Sequence, residues 1–462
     1  MPILVRSSIM PAPVHSLAAW HFRPGALERL VPPWENARVL QASGGIADGS
    51  TVTLRLKKGP MKIDWLARHE RVEPGSGFVD RQMKGPFAEW VHEHRFLPHD
   101  ADRSTLEDHV TYRLPGGWLG ALLGGPIIRP DLERTFVWRH RRTANDLRRH
   151  QELSRGEPLR VAVSGASGMV GKQLCAFLTT GGHQVRRIVR GTPNHEHLDV
   201  AWNTRDGTLD SQFLNGVDAV VHLAGENIAA GRWTAERKRA IRDSRVEGTR
   251  QVAEALAALP VKPKVLIAAS AIGYYGSRGP EALDESSEPG RGFLPETCVA
   301  WEEATKPAEL AGIRVVHLRI GLVIAAAGGV LAKLRTPFSL GLGGPVGSGR
   351  QGMSWIALDD LIAAVLHCIQ HEQISGAVNA VAPDPRSNRD FGRTLGHVLR
   401  RPAFAPLPAP VVSALFGEMG RELLLRGSFV QPKRLLETGF RFDHPKLQHA
   451  LAFELGKMRE PA

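Results

Sequence analysis

Cysteine is scarce in this chain: Cys175, Cys298 and Cys368 are the only three in 462 residues, and no two have a paired spacing. That excludes a disulfide framework and a cysteine-based zinc site, and it suits a reducing compartment, so a cytoplasmic protein is expected. Long apolar runs are also missing. The opening Met1 to Ser8 lacks a basic region followed by an apolar core, and no run approaches the roughly 20 residues a bilayer needs. The nearest candidate, Gly117 to Ile128, is too short and too glycine-rich to span and reads as a pocket-lining or lid segment. Internal repeats and low-complexity tracts are absent. Acidic residues fall short of basic ones, with a net charge of +12 and a pI near 10.0, but the arginines are spread along the chain. The densest run, Arg139 to Arg142 with Arg148 and Arg149, lies where Leu132, Phe136, Val137, Ala144 and Leu147 form the buried stripe of a helix. A solvated basic face is expected there, and no nucleic-acid partner.

What is present is organised around Arg160 to Leu178. Val161 and Val163 alternate as a strand, Gly165, Gly168 and Gly171 follow, and Val170, Leu174, Phe177 and Leu178 recur at helical spacing. Gly165 can take positive φ at the strand end, Gly168 lets backbone approach a pyrophosphate, and Gly171 lets the helix lie close on the sheet. With Ser167, Met169 and Val170 at the helix start, this is a dinucleotide cradle whose helix N-terminus offers N–H groups to an anion. The cradle lies a third of the way along a chain too long for one ordinary core, so a separate N-terminal domain precedes it.

That N-terminal part reads as strands: Val52, Leu54 and Leu56; Ile63, Trp65 and Ala67; Trp90, His92, His94 and Phe96; and, less regularly, Leu106, His109 and Tyr112. Turn signals at Gly44-Gly45, Lys58-Gly59-Pro60, Pro74 to Gly77 and Gly85-Pro86 separate them, and a helix from Asp131 onward closes the unit. The pattern is an α+β arrangement of antiparallel sheet and one long helix. Through Pro24 to Trp34, the strand Trp90 to Phe96 and the terminal helix, it resembles the START-like, helix-grip superfamily of polyketide cyclase and lipid-transfer domains. The resemblance implies a pocket for an apolar ligand. His69, His92, His94 and His109 lack an acidic or cysteine partner at a recognisable spacing, so they read as hydrogen-bonded sheet histidines and no metal is expected.

Beyond a short polar linker, strands and helices alternate. The second strand, Gln184 to Gly191, carries Arg187 and Arg190 and no carboxylate; guanidinium there suits the 2′-phosphate of NADP(H), whereas an acidic residue would suit NAD(H). Asp218 to Glu226 is a buried strand ending in Leu223, Ala224, Gly225 and Glu226, small enough for a dinucleotide to lie along it. Lys264 to Gly276 is another, ending in Ala269, Ser270, Tyr274 and Tyr275.

With these residues in view, 159 to about 455 resembles the extended short-chain dehydrogenase/reductase superfamily, specifically its epimerase-like branch with a small C-terminal domain of unknown function. The matching stretches include Val221 to Ile228, Arg245 to Arg250, Ser270 to Gly276, Phe293 to Glu302, Gly347 to Ile356, Asp359-Asp360 and Gly376 to Pro383. The resemblance implies a Rossmann fold and places Arg319, Arg350, Ser354 and Trp355 around substrate. It also implies a Tyr-x-x-x-Lys proton-transfer device on the helix after the serine-bearing strand, but this chain has Cys298 and Glu302 there. Glu302 could accept hydrogen bonds from ribose hydroxyls, and its charge would raise a neighbouring thiol pKa. The candidate catalytic residues are therefore Ser270, Tyr275, Cys298 and Glu302, with Tyr275 either an acid or an aromatic wall of the nicotinamide pocket. The loop Gly341 to Gly352 is either an anion-binding loop or a surface hairpin.

The expected organisation is a START-like domain at 1–150, a linker at 151–158, an NADP-binding Rossmann domain at 159–395 and a helical C-terminal domain at 396–457 capping the substrate side. The expected function is an NADP(H)-binding epimerase or oxidoreductase acting on a small molecule. The alternative is a non-catalytic NADPH-responsive binding protein that couples dinucleotide state to an apolar ligand of the N-terminal domain.

Overall fold

The computed structural model describes residues 1–58, 61–153, 156–194 and 198–458. The chain divides into two compact units, each with its own sheet. The turn expected at Lys58-Gly59-Pro60 and the middle of the 151–158 linker lie outside the described residues.

The first unit is a seven-stranded antiparallel sheet. Its strands are β1 (Ile3–Met10), β2 (Asn36–Ala42), β3 (Thr51–Lys58), β4 (Met61–Glu73), β5 (Gly77–Lys84), β6 (Glu89–Pro98) and β7 (Ser104–Arg113), in the order β1-β7-β6-β5-β4-β3-β2. Two short helices, α1 (Val14–Phe22) and α2 (Ala26–Leu30), lie between β1 and β2, and a 37-residue helix, α3 (Gly117–Leu153), ends the unit. Alternation explains why β7 has one buried face: Leu106, Asp108, Val110 and Tyr112 turn inward. His109, read with Leu106 and Tyr112 from the sequence, points the other way and bonds Glu107 at 2.6 Å.

Two readings of α3 change. The Gly117–Ile128 segment is the start of the helix rather than a pocket lining, with Trp118, Leu122, Leu123 and Ile127 all more than 60% exposed. The helix continues through four glycines and Pro126 in this segment, although glycine costs about 1 kcal/mol and proline about 3 kcal/mol relative to alanine in a helix interior. The basic run is a solvated face only in part, at the exposed Arg141 and the half-buried Arg139 and Arg148. Arg142 and Arg149 are buried, Arg142 lies 4.8 Å over the Trp138 ring, and Asp146 holds the buried Arg29 by two hydrogen bonds of 2.8 and 2.6 Å. Arginine can bury its stem when its head finds a ring or a carboxylate.

The expectation that the sheet histidines have no acidic partner also fails. Asp80 on β5 and Asp108 on β7 are brought to His69, His92 and His94 by cross-strand register, a proximity that spacing along one strand cannot reveal.

The second unit is a parallel Rossmann sheet. Its strands are β8 (Arg160–Ser164), β9 (Gln184–Val189), β10 (Val200–Ala201), β11 (Ala219–His222), β12 (Val265–Ala271), β13 (Arg314–Ile320) and β14 (Gly376–Ala380), in the order β10-β9-β8-β11-β12-β13-β14. The helices are α4 (Met169–Thr180), α5 (Ala235–Ala257), α6 (Phe293–Glu303), α7 (Lys306–Leu310), α8 (Gly329–Ser339) and α9 (Leu358–Gln370). They are followed by α10 (Asn388–Leu399), α11 (Ala409–Gly420), α12 (Lys433–Glu437) and α13 (Leu447–Glu454). Strands β8, β11 and β12 are apolar and buried almost end to end, as a sheet covered on both faces requires. The reversal of strand order lies between β8 and β11, so the carboxyl ends of these strands open the crevice where such folds bind ligands.

Candidate functional site

The glycine loop between β8 and α4 forms one wall of a cavity of about 590 Å³. Gly165 has φ of +69°, and a Cβ there would lie 2.9 Å from the Leu223 carbonyl carbon. A Cβ on Gly171 would fall 2.2 Å from the Gly165 oxygen. Both positions therefore admit only glycine, one for conformation and one for close approach. Beneath the loop, the Ser164 hydroxyl meets His222 Nδ1 at 2.7 Å and accepts the Leu223 N–H at 3.1 Å. Burial holds His222 neutral, its pKa lowered to about 4, so this pair pins the ends of β8 and β11 without adding charge.

Gly165, Gly168, Met169, Val170, Gly171, Leu223, Ala269, Ser270 and Cys298 all line that cavity. Ser167 is exposed on the loop, and Ala224, Gly225 and Glu226 follow β11 outside the lining. Arg187 is already committed: it forms a two-point pair with Asp199, at 2.7 and 2.9 Å, and Asp199 is nearly sealed from solvent. Arg190 is exposed at the end of β9, and among the described residues nothing pairs with it. The expected pair of phosphate-binding arginines is thus reduced to one free guanidinium.

The catalytic candidates rearrange more. Parallel register sets Ser270, Arg319 and Asn379 side by side at the ends of β12, β13 and β14. Glu302, on α6, reaches across this row: Ser270 Oγ donates to Oε1 at 2.7 Å, and Arg319 donates through Nε and Nη2 at 2.8 Å each. Arg319 Nη1 donates to the Tyr275 hydroxyl at 3.0 Å, and that hydroxyl donates to Asn379 Oδ1 at 2.7 Å. Burial opposes the guanidinium charge, but the Glu302 carboxylate more than offsets it and holds Arg319 above its ordinary pKa. The Arg319 guanidinium also stacks 3.4 Å above the Tyr274 ring.

Glu302 is therefore the partner of a buried arginine rather than a free acceptor for ribose hydroxyls. Tyr275 is 0% exposed in a core with Leu283, Val381 and Val430, so it is neither an accessible acid nor a cavity wall. Its pKa is raised by burial, which Arg319 only partly counters. Cys298 does line the cavity, with a pKa pushed up to about 12 by burial and then by Glu302; it stays a neutral thiol.

Around substrate, Ser354 lines the cavity, but its hydroxyl donates to the Ser428 carbonyl and accepts the Val430 N–H. Trp355 is buried and donates to the Asp384 carbonyl. Arg350 is exposed outside the lining, although its loop contributes Val346, Gln351 and Gly352. The C-terminal segment does face the cavity, through Leu423, Leu424, Arg426 and Ser428. Reading by motif missed Arg245, Arg291, Leu294, Met353 and the Glu422–Ser428 stretch. Arg245 opens one of the family-like stretches, yet nothing local marks it. In space it donates to the Ile241 and Glu226 carbonyls and lies 5.0 Å over Trp301.

A parallel sheet with this order, a glycine loop and a serine-bearing strand edge define the class as an extended short-chain dehydrogenase/reductase. Residues 161–380 match the NAD dependent epimerase/dehydratase family, 407–454 match a domain of unknown function (DUF1731), and 10–139 match polyketide cyclase / dehydrase and lipid transport proteins. Epimerase family protein Mb2239 of Mycobacterium bovis is 44% identical over 294 residues, 63% of this chain and 96% of that protein. A crystal structure of a nucleoside-diphosphate sugar epimerase from Corynebacterium glutamicum is 34% identical with a TM-score of 0.82, covering 98% of this chain and 90% of that one. Human epimerase family protein SDR39U1, solved with NADPH, is 33% identical with a TM-score of 0.60 over 64% of this chain and 99% of its own. The chain belongs to the epimerase family, and its N-terminal unit is START-like. Among the described residues no helix is long and apolar enough to cross a membrane.

Proposed function

We propose that this chain binds NADP(H) in the cradle and holds a small, largely apolar molecule beside it, as an oxidoreductase or epimerase without a tyrosine–lysine proton device. The observation that carries the proposal is the cavity shared by the glycine loop and the apolar side chains Leu294, Leu322, Val330, Leu334 and Leu423. The two glycines that admit no Cβ fit a dinucleotide, and Arg190 supplies the free guanidinium a 2′-phosphate calls for. NADPH in the human relative supports the same choice. Bound there, the dinucleotide would supply or take up a hydride.

This chain's own residues bind and exclude water: the apolar walls close around the reacting partner, and Cys298 remains a neutral, non-nucleophilic filler. Ser270 donates its hydroxyl proton to a hydrogen bond with Glu302, so any proton exchanged with substrate comes from another cavity group or from water. The domain boundaries expected from the sequence, with the helical segment capping the substrate side, are retained in this reading.

NADPH carrying deuterium at the transferring position, incubated with a panel of apolar ketones and aldehydes, tests it. Tight NADPH binding with label transfer to a panel member is expected; failure to bind NADPH, or binding of NADH equally well, would overturn it. Ser270 and Tyr275, both occupied within the fold, favour a second reading in which dinucleotide binding itself is the output. In that case apolar-ligand affinity of the full chain changes with NADPH while no label moves.

A further inference from the structure

We propose that Asp80, His92 and His94, in the START-like unit, form a binding site for one first-row divalent transition-metal ion of the zinc class. The antiparallel register places Asp80 on β5 directly opposite His92 on β6, and His94 two residues further along lies on the same face. One donor atom from each of the three lies within 4.8 Å of the others. A tetrahedral ion with bonds of about 2.0–2.1 Å separates neighbouring donors by about 3.3 Å. His94 Nε2 and Asp80 Oδ2 stand 3.4 Å apart, long for a hydrogen bond between an imidazole and a carboxylate and close to that tetrahedral edge.

The groups behind these donors are arranged as metal sites require, with the far atoms of the ligands held by other residues. His94 Nδ1 is 2.8 Å from Asp108 Oδ1, and His92 Nε2 is 3.0 Å from the same oxygen. His140 Nε2 takes the other Asp108 oxygen at 2.7 Å, and His69 Nδ1 takes Asp80 Oδ1 at 2.5 Å. That leaves Nδ1 of His92, Nε2 of His94 and Oδ2 of Asp80 as the ligating atoms. The His94 Nδ1–Asp108 contact is an ion-pair contact without hydrogen-bond alignment.

Asp80 and Asp108 are paired only with imidazoles, and among the described residues no lysine or arginine forms an ion pair with either. His94 bridges the two carboxylates, so an ion bound there takes the place of a proton on that imidazole. Two imidazoles and one carboxylate suit zinc, cobalt, nickel or iron(II), not calcium or magnesium, which take oxygen sets. The His92 and His94 side chains are only 4% and 7% exposed, but Asp80 is 24% exposed and gives an ion a way in.

The test is cobalt(II) titration of the chelator-treated full chain, followed by visible absorption, with zinc added in competition. One equivalent of cobalt, displaced by one of zinc, is expected. His92→Asn and His94→Asn should weaken binding by on the order of 100-fold or more, and Asp108→Asn by roughly 10–100-fold. His109→Asn, on the opposite face, should leave it unchanged. A folded wild-type chain that takes up neither ion overturns the proposal, as does binding that survives both histidine variants. Should those variants not fold, X-ray absorption of the zinc-loaded wild type decides: two imidazoles and no sulfur are expected, and a sulfur shell or fewer imidazoles overturns the assignment.

Discussion

The Glu302–Arg319 pair is the sharpest place to perturb this structure, because it ties Ser270, Tyr275 and α6 into one buried network. Its side chains are 11% and 5% exposed, so neither can recover water when the other is lost. Glu302→Gln leaves a buried guanidinium facing a neutral amide. Arg319→Met leaves a buried carboxylate with only Ser270 and the more distant His317, and frees the Tyr275 hydroxyl from one donor. Removing one partner of such a pair costs about 3–5 kcal/mol, and the milder glutamine change should fall near 3. The double variant leaves no unpaired charge, so the single costs should exceed its cost by about 1–3 kcal/mol of coupling. With two compact units in one chain, a global melting curve would mix transitions. Hydrogen-exchange mass spectrometry across a urea series, read on peptides from α6 and β13, isolates the local opening free energy. Costs that simply add, with coupling under about 0.5 kcal/mol, would refute the pair as described.

Three further outcomes are expected. Arg190→Ala should raise the NADPH dissociation constant by about 10–100-fold, the worth of a charge-assisted phosphate contact, and leave NADH binding unchanged; Arg187→Ala should instead cost about 1–3 kcal/mol of stability by stranding Asp199, measured by urea unfolding against nucleotide titration. With thiol pKa values near 12, Cys298 and Cys368 should resist iodoacetamide at pH 8 in the folded chain and react only on unfolding, as peptide mapping would show. The Tyr275 phenol is held above its ordinary pKa by burial, so between the unfolded and folded values the native state keeps a proton that the unfolded chain releases. Its stabilisation is full below about pH 10 and falls as pH rises further; Tyr275→Phe should flatten that alkaline limb in pH-dependent unfolding, and an unchanged limb would count against a buried phenol.

Local pattern was enough for the cradle and for the strands, though not for the Gly117–Ile128 start of α3. Gly165, Gly168 and Gly171 between an apolar strand and an amphipathic helix announce a cradle, because their conformational and packing demands are local. The alternation at Trp90 to Phe96 announces a strand. What Glu302 does was decided only by tertiary structure: parallel register brings Ser270, Arg319 and Asn379 into one row from positions 49 and 60 residues apart, and a carboxylate binds whichever buried cation lies nearest.

The same reason pairs Arg187 and leaves Arg190 unpaired, since Asp199 comes from the next strand region and not from the motif. It also sealed Tyr275 away from the cavity, because the turn after β12 directs the side chain into the core. In the N-terminal unit, spacing showed His92 and His94 on one face, but Asp80 and Asp108 reach them only through antiparallel pairing with β5 and β7. Periodicity along a chain sets which face a residue occupies; what it meets across that face is set by register, which belongs to the folded sheet.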